Sequence, residues 1–395
     1  MEPYEVAIVG GGPGGSALAL SLARSGTRVI LFEKKQFPRG KLCGEFIAPS
    51  GVDVLENLGL LAALQREGAQ TVRGFAVTDR RGRSLTGSFD QPGLGVSRRV
   101  LDTRMLARAE REGVQVRQGT KVVECRSGFD HDPPRHHRLV VASSVGHDGT
   151  ERERRVPARL VVGAYGRRAR IDHRLERGFM ADQTPYVGFK RHFRGTADSD
   201  AAPLEHRVNL YLVRGGYCGL VRVGEDRINA CMMIDADALD RFSTVSWECV
   251  REGILSTNEA LDRRLVSMEP VRDAVQTGAQ IPLCSKSCYE EPYLFVGDAS
   301  GMIAPFTGNG QTIAMQTGCV LGSMLQSGHL PECREAFQQF GNEWERTWEG
   351  RFSARLRGGG LLNRVLMNGR VSSAILRVLR TVPILSGALI RSLIS

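Results

Sequence analysis

Lys41, Cys43 and Glu45 alternate in the stretch RGKLCGEFIAP (39–49), so an amine, a thiol and a carboxyl group fall within a few residues of one another. A cation beside a cysteine raises its thiolate character, and a carboxylate held partly out of water can pass protons to and from a reacting centre. Lys41 has a second use, the stabilisation of a phosphate. The alternative for Cys43 is a buried, inert thiol. Chemistry of the first kind needs a bound reactive group, and the elements that hold it must come from elsewhere in the chain.

Residues 6–33, VAIVGGGPGGSALALSLARSGTRVILFE, read as a strand, a glycine turn, a helix and a second strand ending in an acid. Gly10 permits the tight turn, Gly12 lets a pyrophosphate approach the backbone, and Gly15 lets helix and strand pack closely. With Pro13 and Gly14 among them, these residues set a helix N-terminus before the phosphates, where free amides and the helix dipole favour negative charge. Glu33 is placed to accept hydrogen bonds from a ribose, with Lys34 beside it. The unit predicts binding of a dinucleotide.

The 395 residues suffice for two domains, and an apolar content of 42% supports an ordinary core. The formal net charge of +10 comes from scattered arginines, not from a dense basic run with interleaved aromatics, so nucleic acid is not an expected partner. Nine dispersed cysteines, an odd number, give no disulfide framework. Cys284 and Cys288 lack a second pair, and His131, His136 and His137 sit among prolines and arginines, so no metal site is expected. No basic leader precedes the first strand and no apolar run reaches the roughly 18 residues of a membrane span, which points to the cytoplasm. The stretch 371–395 mixes leucines and isoleucines with Arg377 and Arg380. It suits packing on its own domain or a second copy, or at most a peripheral contact with anionic lipid.

Helical spacing closes the first unit over 52–64. Residues 71–96 alternate apolar and polar side chains about an Arg-Arg-Gly turn, the pattern of a hairpin, before helical spacing returns at 102–112 with Asp102 as the expected N-cap. The strand VQVRQGTKVVEC, a hairpin around LVVASSV and a strand within 159–170 follow. YVGFKRHFRG, RVNLYLV, YCGLVRV and RINACMMI then alternate as an antiparallel sheet does. The expected architecture is α/β. A discontinuous Rossmann-like nucleotide-binding domain (1–70, 97–172 and 276–330) is joined by an inserted antiparallel-sheet substrate domain (71–96 and 173–275) and a C-terminal helical segment (331–395).

A second diagnostic segment, YLFVGDASGMIAPFTGNGQTIAMQTG (293–318), runs from a strand into Gly297 and Asp298, then through Pro305 and the Thr307-Gly308-Asn309-Gly310 turn into a helix near Gln311. Asp298 suits a polyol hydroxyl or, alternatively, a helix cap; the helix start suits negative charge developing on a reduced flavin. With Arg98 in SRRVLDTRML, four residues before Asp102, these segments resemble the FAD-dependent oxidoreductases of the para-hydroxybenzoate hydroxylase fold, which include aromatic monooxygenases, geranylgeranyl reductases and flavin halogenases. The likeness covers about residues 5–325. It implies FAD as cofactor, Glu33 on the adenosine ribose, the Val122 backbone at the adenine, Arg98 near the phosphates or ribityl chain, and Asp298 on the ribitol. Pro305 and the glycine turn would shape the pocket edge.

The stretch 39–49 looks like the Lys-x-Cys-Gly-acid-x-x-x-Pro of the geranylgeranyl reductase branch, where the cysteine lies near flavin and substrate. Tyr165 stands where hydroxylases of this group carry the aspartate of an Asp-Gly pair. GGYCGLVRVGEDRINA lacks the aromatic and Phe-Pro signature of the reductases, and the halogenase Trp-x-Trp-x-Ile-Pro is absent, the tryptophans lying at 247, 344 and 348. The first reading is a monooxygenase of a small hydrophobic or aromatic, polyketide- or isoprenoid-like substrate, with NAD(P)H or another reduced donor. The second is a flavin reductase or dehydrogenase with Cys43 near the reacting bond. A flavin halogenase and a non-catalytic FAD-binding partner protein follow. No motif sets an oligomeric state.

Overall fold

Val6, Ala7 and Ile8 are fully buried in the strand Tyr4–Val9, as a strand covered on both faces requires. This strand is central to the first sheet. It runs parallel to Val29–Glu33 on one side and to Glu151–Gly163 on the other, with Val6 opposite both Val29 and Leu160. Gln115–Gln118 extends the sheet beyond Val29–Glu33, and Tyr293–Phe295 extends it beyond Glu151–Gly163, with the short Tyr289–Glu290 antiparallel at that edge. Thr120–Arg126 and Arg138–Val145 fold back antiparallel on the start of Glu151–Gly163. This computed structural model describes residues 2–129, 138–145, 151–182, 184–195, 206–328 and 330–367; the histidine-containing loop and the 371–395 stretch lie outside them.

The helices Pro13–Ala23 and Gly310–Ser327 both start beyond the carboxyl ends of parallel strands, where α/β sheets bind their ligands. They lie against each other. A Cβ on Gly318 would stand 2.3 Å from the Gly14 carbonyl oxygen, so only glycine allows this approach, and it sets the two helix N-termini side by side.

The second sheet has the strand order Glu269–Pro270, Tyr186–Arg194, Arg227–Asp235, Gly216–Arg222, Arg207–Val213, Gln70–Thr78, Ser84–Gly95 and Phe46–Ile47. Gln276–Gly278 also pairs with Tyr186–Arg194. Neighbours are antiparallel except Arg207–Val213 and Gln70–Thr78. Alternation divides the sheet into two faces. Phe189, Cys218, Leu220 and Ile234 pack under the helices Trp247–Gly253 and Glu259–Val266. Phe75, Val77, Tyr217 and Met233 face the other way, towards Leu362 and Leu366 of the long helix Arg334–Met367.

Phe337, Gly341, Trp344, Trp348, Phe352, Leu356, Gly359, Asn363 and Leu366 recur three or four residues apart and form the buried stripe of that helix. Two indoles fix it to the first sheet: Trp344 Nε1 donates to the Phe295 carbonyl at 3.1 Å and Trp348 Nε1 donates to Ser300 Oγ at 3.0 Å.

The α/β architecture is as expected, and local details differ. Helix Arg98–Arg111 begins before Asp102, and Ser97 caps it by accepting from the Val100 amide; Asp102 turns inward instead, because Arg98 one turn earlier offers a buried cation. The helical stretch at 52–64 is two helices, Pro49–Asn57 and Leu61–Arg66, parted near Gly59 at φ +69°. The strand expected within 159–170 runs over Glu151–Gly163 and stops there, and Arg170–Arg174 is a short helix.

Candidate functional site

Gly10 adopts φ +116°, and a Cβ there would lie 2.4 Å from the Ala164 carbonyl oxygen; one on Gly15 would lie 2.0 Å from the Gly10 carbonyl oxygen. Both positions therefore demand glycine. Pro13 occupies the first helical turn, where its missing N–H costs nothing, and no side chain caps the helix. Helix Gly310–Ser327 likewise starts without a side-chain cap. Gly12, Pro13 and Gly14 from the first helix start, and Gly308 and Gly310 from the second, line one cavity of about 260 Å³. Two uncapped helix ends on one cavity make a strongly anion-attracting wall.

Arg98 and Lys41 add cations to this wall. Arg98 grips Asp102 through Nε and Nη2 at 2.7 and 2.8 Å. Burial opposes the Arg98 charge, but Asp102 and Cys43 together outweigh it and hold the guanidinium well above its ordinary pKa. Burial, with Arg98 nearby, lowers the half-buried Lys41 amine to about 8, and Asp298 partly offsets the shift. Asp298 follows Gly297, which has φ +63°, in a 3-10 turn. Lys286 Nζ anchors that turn by donating to the carbonyls of Asp298 and Arg167 at 2.7 and 2.6 Å, with its own pKa lowered to about 8 by burial.

Glu33 is buried and turned back on the glycine loop, where it accepts from the Gly11 and Lys35 amides, each at 2.9 Å. Arg39 bridges Glu33 and Asp102 at 3.8 and 3.6 Å. Lys34 is exposed beside it, and Val122 is buried on the neighbouring antiparallel extension at a register shift. Asn309 is buried at the start of the second helix, and Pro305 lines the cavity with Phe306.

The stretch 41–45 crosses from the first sheet's cavity wall to the second sheet. Asn229 Nδ2 holds it by donating to the Cys43 and Gly44 carbonyls at 3.1 and 2.8 Å. Cys43 lines the cavity next to the Arg98 guanidinium. Burial pushes the thiol of Cys231, which also lines the cavity, up to about 12. Glu45 is fully buried and sits at φ +57°, a conformation uncommon outside glycine that is kept where neighbours over-determine it. Those neighbours are plain. Its carboxylate accepts from the Arg98 amide at 2.7 Å, pairs with Lys190 Nζ and lies 2.7 Å from His192 Nε2. Burial alone would raise the Glu45 pKa; Lys190 and His192 reverse the sign and lower it.

Lys190, His192 and Asn229 were not among the sequence candidates. Lys190 and His192 stand two apart in YVGFKRHFR, hence on one face of their strand, and that alternation was the available signal. The sequence could not say that this face meets the cavity.

The site fits FAD. Glycine cradles that a Cβ would fill lie against two uncapped helix ends, with cations at the same wall and an acid closing the second strand. Gly12, Pro13, Gly14, Lys41, Arg98, Gly297, Asp298, Gly308 and Gly310 would hold it. Beyond them the cavity becomes apolar, walled by Phe75, Leu210, Met233, Phe306, Leu362 and Leu366. No helix among the described residues is long and apolar enough to cross a membrane.

Comparison with known proteins agrees with this geometry. Residues 3–328 match the FAD binding domain family. The chain is 29% identical to menaquinone reductase of Mycobacterium tuberculosis over 341 residues, 83% of this chain and 78% of that one. It is 24% identical to digeranylgeranylglycerophospholipid reductase 2 of Methanopyrus kandleri over 374 residues, 92% of this chain and 87% of that one. Among solved structures, the flavin-dependent brominase Bmp2 has the same fold, with a TM-score of 0.76 at 17% identity over 100% of this chain and 94% of that one. The chain belongs to the FAD binding domain family, among the FAD-dependent oxidoreductases of the para-hydroxybenzoate hydroxylase fold.

Proposed function

We propose that this protein is an FAD-dependent reductase acting on a long apolar molecule with a reducible double bond, of the isoprenoid or prenylated-quinone kind. One observation carries the reading: the cavity lined by the cofactor cradle is lined equally by a greasy wall from the second sheet and the long helix, with Cys43 at its edge and the sealed Glu45 directly behind it. The names of the two reductases above support the same substrate class. Bound FAD supplies the two-electron chemistry, recharged by NAD(P)H or another reduced donor. The chain's own residues bind, orient and shield: helix ends, Lys41 and Arg98 hold the anionic groups, the apolar wall aligns substrate and excludes water, and Glu45 holds or releases a proton.

A second reading, oxygen insertion into the same substrate, draws on that wall as well, because exclusion of water protects oxygen chemistry on a flavin. One experiment separates the two. The FAD-loaded protein is photoreduced without oxygen and mixed with a geranylgeranyl lipid, and the product is weighed. The reductase reading expects anaerobic flavin reoxidation and a product heavier by two hydrogens; turnover only with oxygen, and a product heavier by one oxygen atom, would overturn it.

A further inference from the structure

Glu45 is the inner end of a chain of ionisable groups that reaches the surface. Its Oε2 lies 2.7 Å from His192 Nε2, and His192 Nδ1 lies 2.8 Å from Asp273 Oδ2. Exposure rises outward: the Glu45 side chain is sealed, that of His192 is 4% exposed and that of Asp273 25%. The imidazole is thus clamped between two carboxylates. Ionised carboxylates only accept hydrogen bonds, so both contacts form only when a proton sits on each ring nitrogen or on one of the acids. The cluster therefore keeps a proton that can move along it.

The surroundings hold the members of the chain in register. Lys190, two residues before His192 on the same face, pairs with Glu45 Oε1 and also donates to the Lys41 carbonyl at 3.2 Å, so its ammonium keeps a second acceptor when the proton lies on Glu45. Asn229 stands directly across from His192 in the next strand, and its amide is spent on the Cys43 and Gly44 carbonyls. Cys231, across from Lys190, keeps its thiol protonated through burial. The Val271 amide binds the His192 carbonyl at 2.9 Å and so ties the Asp273 loop to the strand. At the inner end the Arg98 amide fixes Glu45 on the cavity wall.

We propose that Asp273, His192 and Glu45 form a proton relay from solvent to the reacting cavity. The inference rests on the reductase reading for its purpose. Saturating one double bond takes a hydride and a proton. Reduced FAD, recharged by a pyridine nucleotide, would supply the hydride and both electrons to one carbon, and the π pair of the double bond takes up the proton at the other carbon. Glu45 gives that proton, His192 replaces it, and Asp273 restores His192 from water, so the protein ends unchanged. Glu45 is the catalytic member, and His192 and Asp273 act through it.

The test uses FAD-loaded protein with 15N-labelled histidine, and compares wild type with Asp273→Asn, which keeps an acceptor but cannot ionise. His192→Gln assigns the ring signals. Exchange of the His192 ring protons with water should be fast in wild type and at least tenfold slower in Asp273→Asn, at unchanged FAD affinity. Equal exchange in the two proteins overturns the relay. With a geranylgeranyl lipid, reoxidation of the reduced variant should slow about 100-fold and show a larger solvent isotope effect than wild type. Ring-proton exchange that slows in Asp273→Asn while wild type reduces no substrate would keep the relay and refute the reductase reading, so the two failures are distinct.

Discussion

Arg98 holds Asp102 through two parallel bonds, 2.7 Å from Nε and 2.8 Å from Nη2, and the same Nη2 stands 3.8 Å from where a Cβ on Gly12 would be. The buried pair thus aims its cation at the glycine loop. Both side chains are almost wholly out of water, so removing one leaves the other uncompensated. Asp102→Ala should cost about 3–5 kcal/mol of stability in urea unfolding, as breaking a buried pair does. A loss under about 1 kcal/mol, the worth of a surface pair, would refute this placement.

Lys41 gives a pH-dependent prediction. Its amine is lowered to about 8 by burial and by Arg98, below the ordinary lysine value. Between about pH 8 and that ordinary value the unfolded chain holds a proton that the folded chain has lost, so this group's contribution to stability rises with pH across the window, and its cost is complete below it. In FAD-free protein, Lys41→Met should unfold at higher urea than wild type at pH 7, and the gap should close towards pH 10. FAD affinity of wild type should also fall as pH rises through about 8, and that step should vanish in Lys41→Met. Parallel pH curves in the two proteins would contradict the assignment.

The crossing of the two N-terminally paired helices is set by Gly318. A methyl group there would meet the Gly14 carbonyl at 2.3 Å. Gly318→Ala should cost about 1–3 kcal/mol by overpacking and weaken FAD binding, because the helix start that faces the phosphates must shift. Gly350, in the long helix with no atom within 4 Å of its built Cβ, is the control: Gly350→Ala should instead stabilise by about 0.5–1 kcal/mol and leave FAD binding alone. Thermal melts and flavin fluorescence measure both.

The apolar wall should govern substrate and not cofactor. Leu362 packs in the cluster of Phe75, Tyr217 and Met233 that faces the cavity. Leu362→Ala should raise KM about tenfold for a prenyl-bearing substrate, the scale of lost methylene contacts, while FAD affinity stays constant. A parallel loss of FAD binding would place Leu362 on the cofactor instead.

What was legible in the sequence depended on how local the physics is. Gly10, Gly15 and the Gly297–Gly310 turn act through backbone conformations fixed within a few residues, so they could be read directly. Glu45 could be singled out, but not its partners: His192 lies 147 residues away and Asp273 another 81. Long-range contacts bring the 41–45 stretch beside that strand: Lys190 reaches Glu45 and the Lys41 carbonyl, and Asn229 in the next strand holds the Cys43 and Gly44 carbonyls. Asp102 shows a competition that local spacing cannot decide. Its type suits a cap, yet Ser97 reaches the Val100 amide first and the buried Arg98 needs the charge more.

The long helix builds the apolar end of the cavity from outside the cofactor-binding fold. Leu362, Val365 and Leu366 come from beyond residue 328, where the match to the FAD binding domain ends, yet they line the same cavity as the cofactor cradle. Trp344 and Trp348 fasten the earlier turns of that helix to the Phe295–Ser300 segment, so drift in its last turns need not disturb the flavin side. A change confined to the end of this helix therefore reshapes the apolar end of the cavity and leaves the glycine cradle as it is.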